Sequence, residues 1–145
     1  MDDIVIQGLR MLQADHQVFY GKLRNYHWTV KGPRFFELHA LFEQLYDEAA
    51  MTVDEIAERL VALGEKPVGT YAESVDLARL KEDPSSPNAD QMLKSIHEDF
   101  EHLISSLKAT AKQAESAGDT TTFNLLDGKA DAAEGHAWMI RSALA

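Results

Sequence analysis

Apolar residues return every three or four positions through most of the chain, and no stretch alternates apolar and polar over the length of a strand. Val5, Leu9, Leu12, Phe19, Leu23 and Tyr26 fall at helical spacing and predict a helix over residues 4–28. The Gly32-Pro33 pair in "TVKGP" ends it, and Pro33 suits the first turn of the next helix. That helix runs over residues 34–63 on Leu38, Leu41, Phe42, Leu45, Val53, Ile56 and Leu60, until Gly64 and Pro67 close it; the two helices form an antiparallel pair. From Gly64 to Asp90 the chain is punctuated by Pro67, Gly69, Pro84 and Pro87, with one short helical segment beginning at "TYAESVDLARL". Its Thr70 and Glu73 have the spacing of a capping box. A third long helix spans residues 90–116 on Met92, Leu93, Ile96, Phe100, Leu103 and Leu107. The fourth spans residues 120–144 on Phe123, Leu126, Ala130, Ala133, Trp138 and Ile140, with Gly118 between them.

The pattern predicts an all-α fold in a single domain over residues 1–145, with one core of ordinary size. Up-down-up-down connectivity needs only short loops, so the long middle connection argues that the second and third long helices run parallel. That is the connectivity of a ferritin-like four-helix bundle, here with a short helix in the crossover. No cysteine is present, which excludes disulfides, a thiolate zinc site and a Cys nucleophile. Any metal must be held by His, Asp or Glu. The start "MDDIVIQGLRMLQADHQ" is acidic where a signal peptide is basic, and no apolar run reaches membrane-spanning length, so a cytoplasmic protein is expected. Fourteen Lys and Arg against twenty-four Asp and Glu give a net charge of -10, with no Lys/Arg run. Such a surface repels nucleic acid and anionic membranes and attracts cations.

On the second long helix, at 100° per residue, Leu38, Leu45, Ala49 and Ile56 form the core stripe. His39, Glu43, Ala50, Asp54 and Glu58 lie about a third of a turn away, on a second face. A solvated acidic face is the ordinary explanation for any one of these carboxylates. Yet Asp54 and Glu58 are like charges at i,i+4 spacing, which costs a few tenths of a kcal/mol unless a cation lies between them. His39 with Glu43 repeats the geometry with one nitrogen ligand, a mixed set suited to iron, manganese or zinc. His39 and Asp54 stand roughly 22 Å apart along the helix, so one chain cannot close one site from both pairs.

Two chains can. His39 and Glu58 are equidistant from the midpoint between Glu48 and Ala49, and so are Glu43 and Asp54. If two copies of this helix cross antiparallel about a two-fold axis there, each pair meets its complement on the other chain, giving two identical sites per dimer. Ala49 and Ala50 at the crossing permit close approach of the backbones. His27 adds a third element: it precedes Pro33 by as many residues as His39 follows it, so the two imidazoles come out at similar height in a tight hairpin. Trp28 beside it is an interface residue or an acceptor of stray oxidising equivalents. His16 reads as a core histidine, and His97, His102 and His136 as structural or solvent-exposed. The Glu-x-x-His motif of an in-bundle di-iron site is absent; Asp99 and His102 alone have the spacing.

"NYHWTVKGPRFFELHALFEQLYDEAAMTVDEIAERLVALGEKP", residues 25–67, resembles the signature of the Dps family, the mini-ferritins. The resemblance implies a bundle assembled as a twelve-subunit hollow shell, with ferroxidase centres at the dimer interfaces. It implies that His27 and His39 come from one subunit and Asp54 and Glu58 from its mate, with Glu43 an accessory acidic ligand. The chemistry implied is oxidation of Fe(II) to Fe(III), with hydrogen peroxide as oxidant, and storage of ferric mineral; Zn or Mn would suit the same ligands. Asp119, Asp127 and Asp131 are candidate pore residues for iron entry. The family's Lys/Arg-rich tail is missing, so DNA binding is not expected. The competing expectation is a non-catalytic acidic helical homo-oligomer with a structural zinc at its dimer interface.

Overall fold

The computed structural model describes residues 3–145; Met1 and Asp2, part of the acidic start, lie outside the described residues. Five helices appear: α1 (Asp3–Thr29), α2 (Phe35–Ala62), α3 (Tyr71–Leu77), α4 (Ala89–Ser116) and α5 (Thr120–Leu144). Strands are absent among the described residues. Cross-helix pairs fix the directions. Lys129 meets Glu55 and His136 meets Glu48, so α5 runs antiparallel to α2. Lys108 meets Glu134 across the α4–α5 hairpin, and Lys22 meets Asp99 between α1 and α4. The long helices α2 and α4 are therefore parallel, as the long crossover predicts, and the fold is a ferritin-like four-helix bundle.

The expected stripes form the core: Leu9, Leu12, Leu23, Tyr26, Phe42, Leu45, Ile56, Leu60, Leu93, Ile96 and Leu103 are fully buried. Trp138 is a correction, being 56% exposed, because Ala137 and Ile140 take the inward positions of α5. Helix ends follow backbone hydrogen-bond demand. At the end of α2, Glu65 N–H donates to Leu60 and Gly64 N–H to Val61, with Gly64 at φ +80°, a Schellman closure only glycine adopts without strain. Pro33 stands two residues before α2, not in its first turn, after a Gly32 at φ +112°.

The crossover is tied to α1 by buried polar groups. Asp15, with no exposed surface, accepts from the backbone N–H groups of Arg79 and Leu80 and from the Arg79 guanidinium at 2.7 and 3.0 Å. Those bonds explain why α3 stops at Leu77, short of the full "TYAESVDLARL": the next backbone donors are spent on Asp15. Gln13 exchanges two hydrogen bonds with the backbone of Val68. The expected capping box at Thr70 is half formed, since Glu73 accepts from the Thr70 hydroxyl and not from its backbone N–H. The reciprocal box stands instead at Asn88 and Gln91, opening α4.

Candidate metal centre

The turn between α1 and α2 brings His27 and His39 face to face. Their rings stack with centroids 3.8 Å apart and planes 14° from parallel. His27 Nδ1 lies 2.7 Å from the His39 carbonyl oxygen, and His39 Nδ1 lies 2.7 Å from that of His27. A carbonyl only accepts, so each Nδ1 carries a proton and donates. In the neutral rings both Nε2 atoms are then unprotonated, which is the state a metal requires. The arrangement also satisfies the His27 carbonyl, one of the last four of α1, which has no partner inside its own helix. Phe35 stacks on the other face of His39 at 5.0 Å, and Tyr46 meets His27 edge-to-face at 5.3 Å. His27 is buried and His39 half-buried.

Tyr46 continues the aromatic layer to Tyr20, 5.7 Å away and edge-to-face. Partial burial, with the Glu43 and Asp47 carboxylates next to it, holds the Tyr46 phenol above its ordinary pKa. The Arg24 guanidinium packs between the Tyr20 and Trp28 rings at 5.0 and 4.9 Å. Tyr20, Arg24, Phe35 and Tyr46 were not singled out from sequence, although Tyr20 precedes His27 and Tyr46 follows His39 by the same two-turn interval.

Glu43, Asp54 and Glu58 are exposed on the outer face of α2. The residues between and after them are engaged within the chain: Glu55 pairs with Lys129, and Arg59 binds Asp119 and Thr122. Among the described residues, no three His, Asp or Glu side chains of one chain come together as a metal group. The structure thus joins His27 with His39 and leaves Asp54 about 22 Å and Glu58 about 28 Å further along α2.

The other sequence candidates divide. His16 is a buried core residue whose Nδ1 bonds the Leu12 carbonyl at 2.7 Å, and burial pushes its pKa down. His136 is not partnerless, because it meets Glu48; His102 is exposed and His97 lies beside Glu101. Asp119 is no open pore carboxylate: it caps α5 through Thr122 and holds Arg59. Burial would raise its pKa, yet the bonds from Thr122 and the Arg59 charge bring it below the usual carboxylate range. Asp127 and Asp131 are exposed. A cavity of about 630 Å³ is lined from α1, α2, α4 and α5 by residues that include Phe19, Leu45, Ala49, Leu103, Ala133 and Met139, and neither His27 nor His39 lines it.

The model of the ferritin-like domain matches residues 6–145. The chain is 42% identical to DNA protection during starvation protein 2 of Bacillus anthracis, over 99% of both chains. Among solved structures it superposes on Dps from Staphylococcus aureus with a TM-score of 0.96 and 39% identity, covering 97% of this chain and 95% of that one. It superposes on the Vibrio cholerae Dps protein, described as a member of a broad superfamily of ferritin-like diiron-carboxylate proteins, with a TM-score of 0.94 and 30% identity; the match covers 97% of this chain and 89% of that one. No described helix is long and apolar enough to cross a membrane. From its fold, its sequence identity and the full-length coverage, the chain belongs to the Dps family of ferritin-like proteins.

Proposed function

We propose that this protein oxidises Fe(II) with hydrogen peroxide at centres shared between two subunits, and stores the ferric product inside a hollow dodecameric shell in the cytoplasm. The carrying observation is the reciprocal pair of Nδ1–carbonyl bonds, which presents two imidazole Nε2 lone pairs side by side. His27 and His39 bind the ferrous ion, and Asp54 and Glu58 of the partner subunit complete the site; Glu43 adds a further carboxylate. Imidazole supports the ferrous state and carboxylate the ferric one, while an incomplete coordination sphere admits peroxide. Iron is the substrate, and zinc or manganese on the same ligands would compete with it.

The outer face of α2 supports the two-fold arrangement beyond the ligands. Phe36 and Val61, 87% and 60% exposed, are equidistant from the same midpoint between Glu48 and Ala49. So are Ala40 and Ala57. Pairing about that axis covers the two exposed apolar side chains, lets small residues meet at close approach, and sets Glu43 against Asp54 of the partner subunit, where a cation relieves the repulsion. The small-residue pair and the apolar pair on a single face are more than a solvated acidic helix requires.

Protection of DNA, named in the relatives, then follows from removing ferrous iron and peroxide together, without contact with DNA. A net charge of -10 predicts no gel shift at physiological salt. The functional test is anaerobic addition of Fe(II) followed by peroxide, with ferric absorbance and iron retained through gel filtration as readouts. The account expects ferric iron to form and to elute with the shell. A His27→Ala, Asp54→Ala variant that oxidised and retained iron at the wild-type rate would refute the assignment. Tight zinc binding without iron oxidation would instead favour a structural zinc at the interface.

A further inference from the structure

The cavity of about 630 Å³ among the four long helices takes no part in the metal centre. Its volume is that of a small-molecule site, and such sites form between the helices of bundles. The wall is rich in leucine and carries an aromatic side. The Phe19 and Phe100 rings meet edge-to-face at 5.0 Å, and the His136 ring lies 5.4 Å from Phe100. Met51 and Met139, both exposed, line its solvent side with flexible thioethers, which pack well against aromatic rings.

Two buried polar side chains stand in this wall, His16 and Thr52, each 6% exposed. His16 Nδ1 donates to the Leu12 carbonyl, and burial keeps the ring neutral, so Nε2 holds a lone pair. Among the described residues that lone pair has no hydrogen-bond partner. Thr52 donates its hydroxyl to the Glu48 carbonyl at 3.0 Å and is left with lone pairs only. Both groups therefore accept and neither donates. A water molecule could donate to them but would find no buried side-chain donor for its own oxygen. The cationic groups of the lining, Arg34, Lys129 and His136, already face Asp90, Glu55 and Glu48, which leaves none free for an acidic ligand. Nor do three His, Asp or Glu side chains gather here for a metal, among the described residues.

We propose that this cavity binds a neutral planar aromatic molecule with a ring N–H, an indole, whose N–H donates to His16 Nε2. The ring packs against Phe19 and Phe100, and the leucines enclose its apolar edge. An indole matches the wall because its nitrogen donates and does not accept. A phenol would also donate, but its oxygen would bring lone pairs that no buried side chain of the wall can satisfy. The site is independent of iron and of the ferroxidase reading.

Equilibrium dialysis of the iron-free assembled protein against indole, N-methylindole and indole-3-acetate tests this, with the ligand measured by chromatography. Wild type is expected to bind one indole per subunit, and to bind N-methylindole, which has no N–H to donate, about three- to tenfold more weakly. The anionic indole-3-acetate is expected to bind more weakly than indole. His16→Leu keeps an apolar wall and is expected to remove the preference for indole over N-methylindole. Ala133→Leu fills the cavity from α5 and is expected to weaken both, with assembly of each variant checked by gel filtration. Crystals of wild type grown with indole supply a readout that needs no variant, and are expected to show the ring in the cavity with its nitrogen against His16 Nε2. No indole uptake, equal binding of indole and N-methylindole by wild type, an undiminished preference in assembled His16→Leu, or indole seated only elsewhere would each overturn the proposal.

Discussion

Replacing Asp15 by Ala removes the acceptor that fastens the crossover to α1. The carboxylate is fully buried and serves four donors: two backbone N–H groups, of Arg79 and Leu80, and two guanidinium N–H groups of Arg79. Breaking a buried ion pair from one side costs about 3–5 kcal/mol, since the partner charge is left uncompensated. The Arg79 side chain is 29% exposed and can turn toward water, which lowers its share; the Leu80 N–H is buried and cannot. A loss of about 3 kcal/mol results, against a stability of about 5–15 kcal/mol for an ordinary domain. With a denaturant slope of about 2 kcal/mol/M, the urea midpoint should fall by about 1.5 M. Wild type and variant are compared by circular dichroism at one protomer concentration, because assembly makes stability concentration-dependent. Asp15→Asn keeps the shape and one acceptor oxygen and should lie between them. A midpoint within about 0.3 M of wild type for Asp15→Ala would refute the reasoning, since that is below 1 kcal/mol on the same slope.

Gly8→Ala places its Cβ 2.7 and 2.8 Å from side-chain atoms of Thr110, closer than packing allows, and should destabilise by about 1–3 kcal/mol. Adding Thr110→Ala should recover most of that loss in the same urea titration, and failure to do so would place the strain elsewhere. His16 carries a pH signature. Burial lowers its folded pKa below 6.5, more than its Leu12 bond and the nearby Asp15 charge raise it. As pH falls below about 6.5, the unfolded chain takes up the proton first, so stability declines until the folded ring also protonates. In His16→Gln that part of the slope should vanish; an unchanged slope would assign it to other groups.

Much of this was legible from periodicity. The stripes of α1, α2 and α4 have their expected interiors because a helix in a bundle buries one face, and that face is written in the spacing. Trp138 misled because apolar character alone cannot choose between adjacent positions; Ala137 and Ile140 continue the inward spacing of Leu126, Ala130 and Ala133, and Trp138 falls between them. The end of α3 was illegible because Asp15, far along the chain, takes its next donors. The meeting of His27 with His39 could be foreseen from their symmetric placement about Pro33. The proton positions on the two rings could not, since they depend on carbonyls that only the folded hairpin brings into reach. Asp119 shows the converse: an acidic helix start looked available for iron and is held by Thr122 and Arg59.

The central claim is that each centre draws His39 from one subunit and Glu58 from the other. His39→Ala and Glu58→Ala subunits, each inactive alone, are dissociated, mixed in equal amounts and reassembled. A mixed dimer then holds one centre with both defects and one with neither. Random pairing makes half the dimers mixed, so the account predicts recovery of about one quarter of wild-type ferroxidase centres. Mass spectrometry verifies that mixed dimers have formed. No recovery of peroxide-dependent iron oxidation in those verified mixtures would contradict a shared centre.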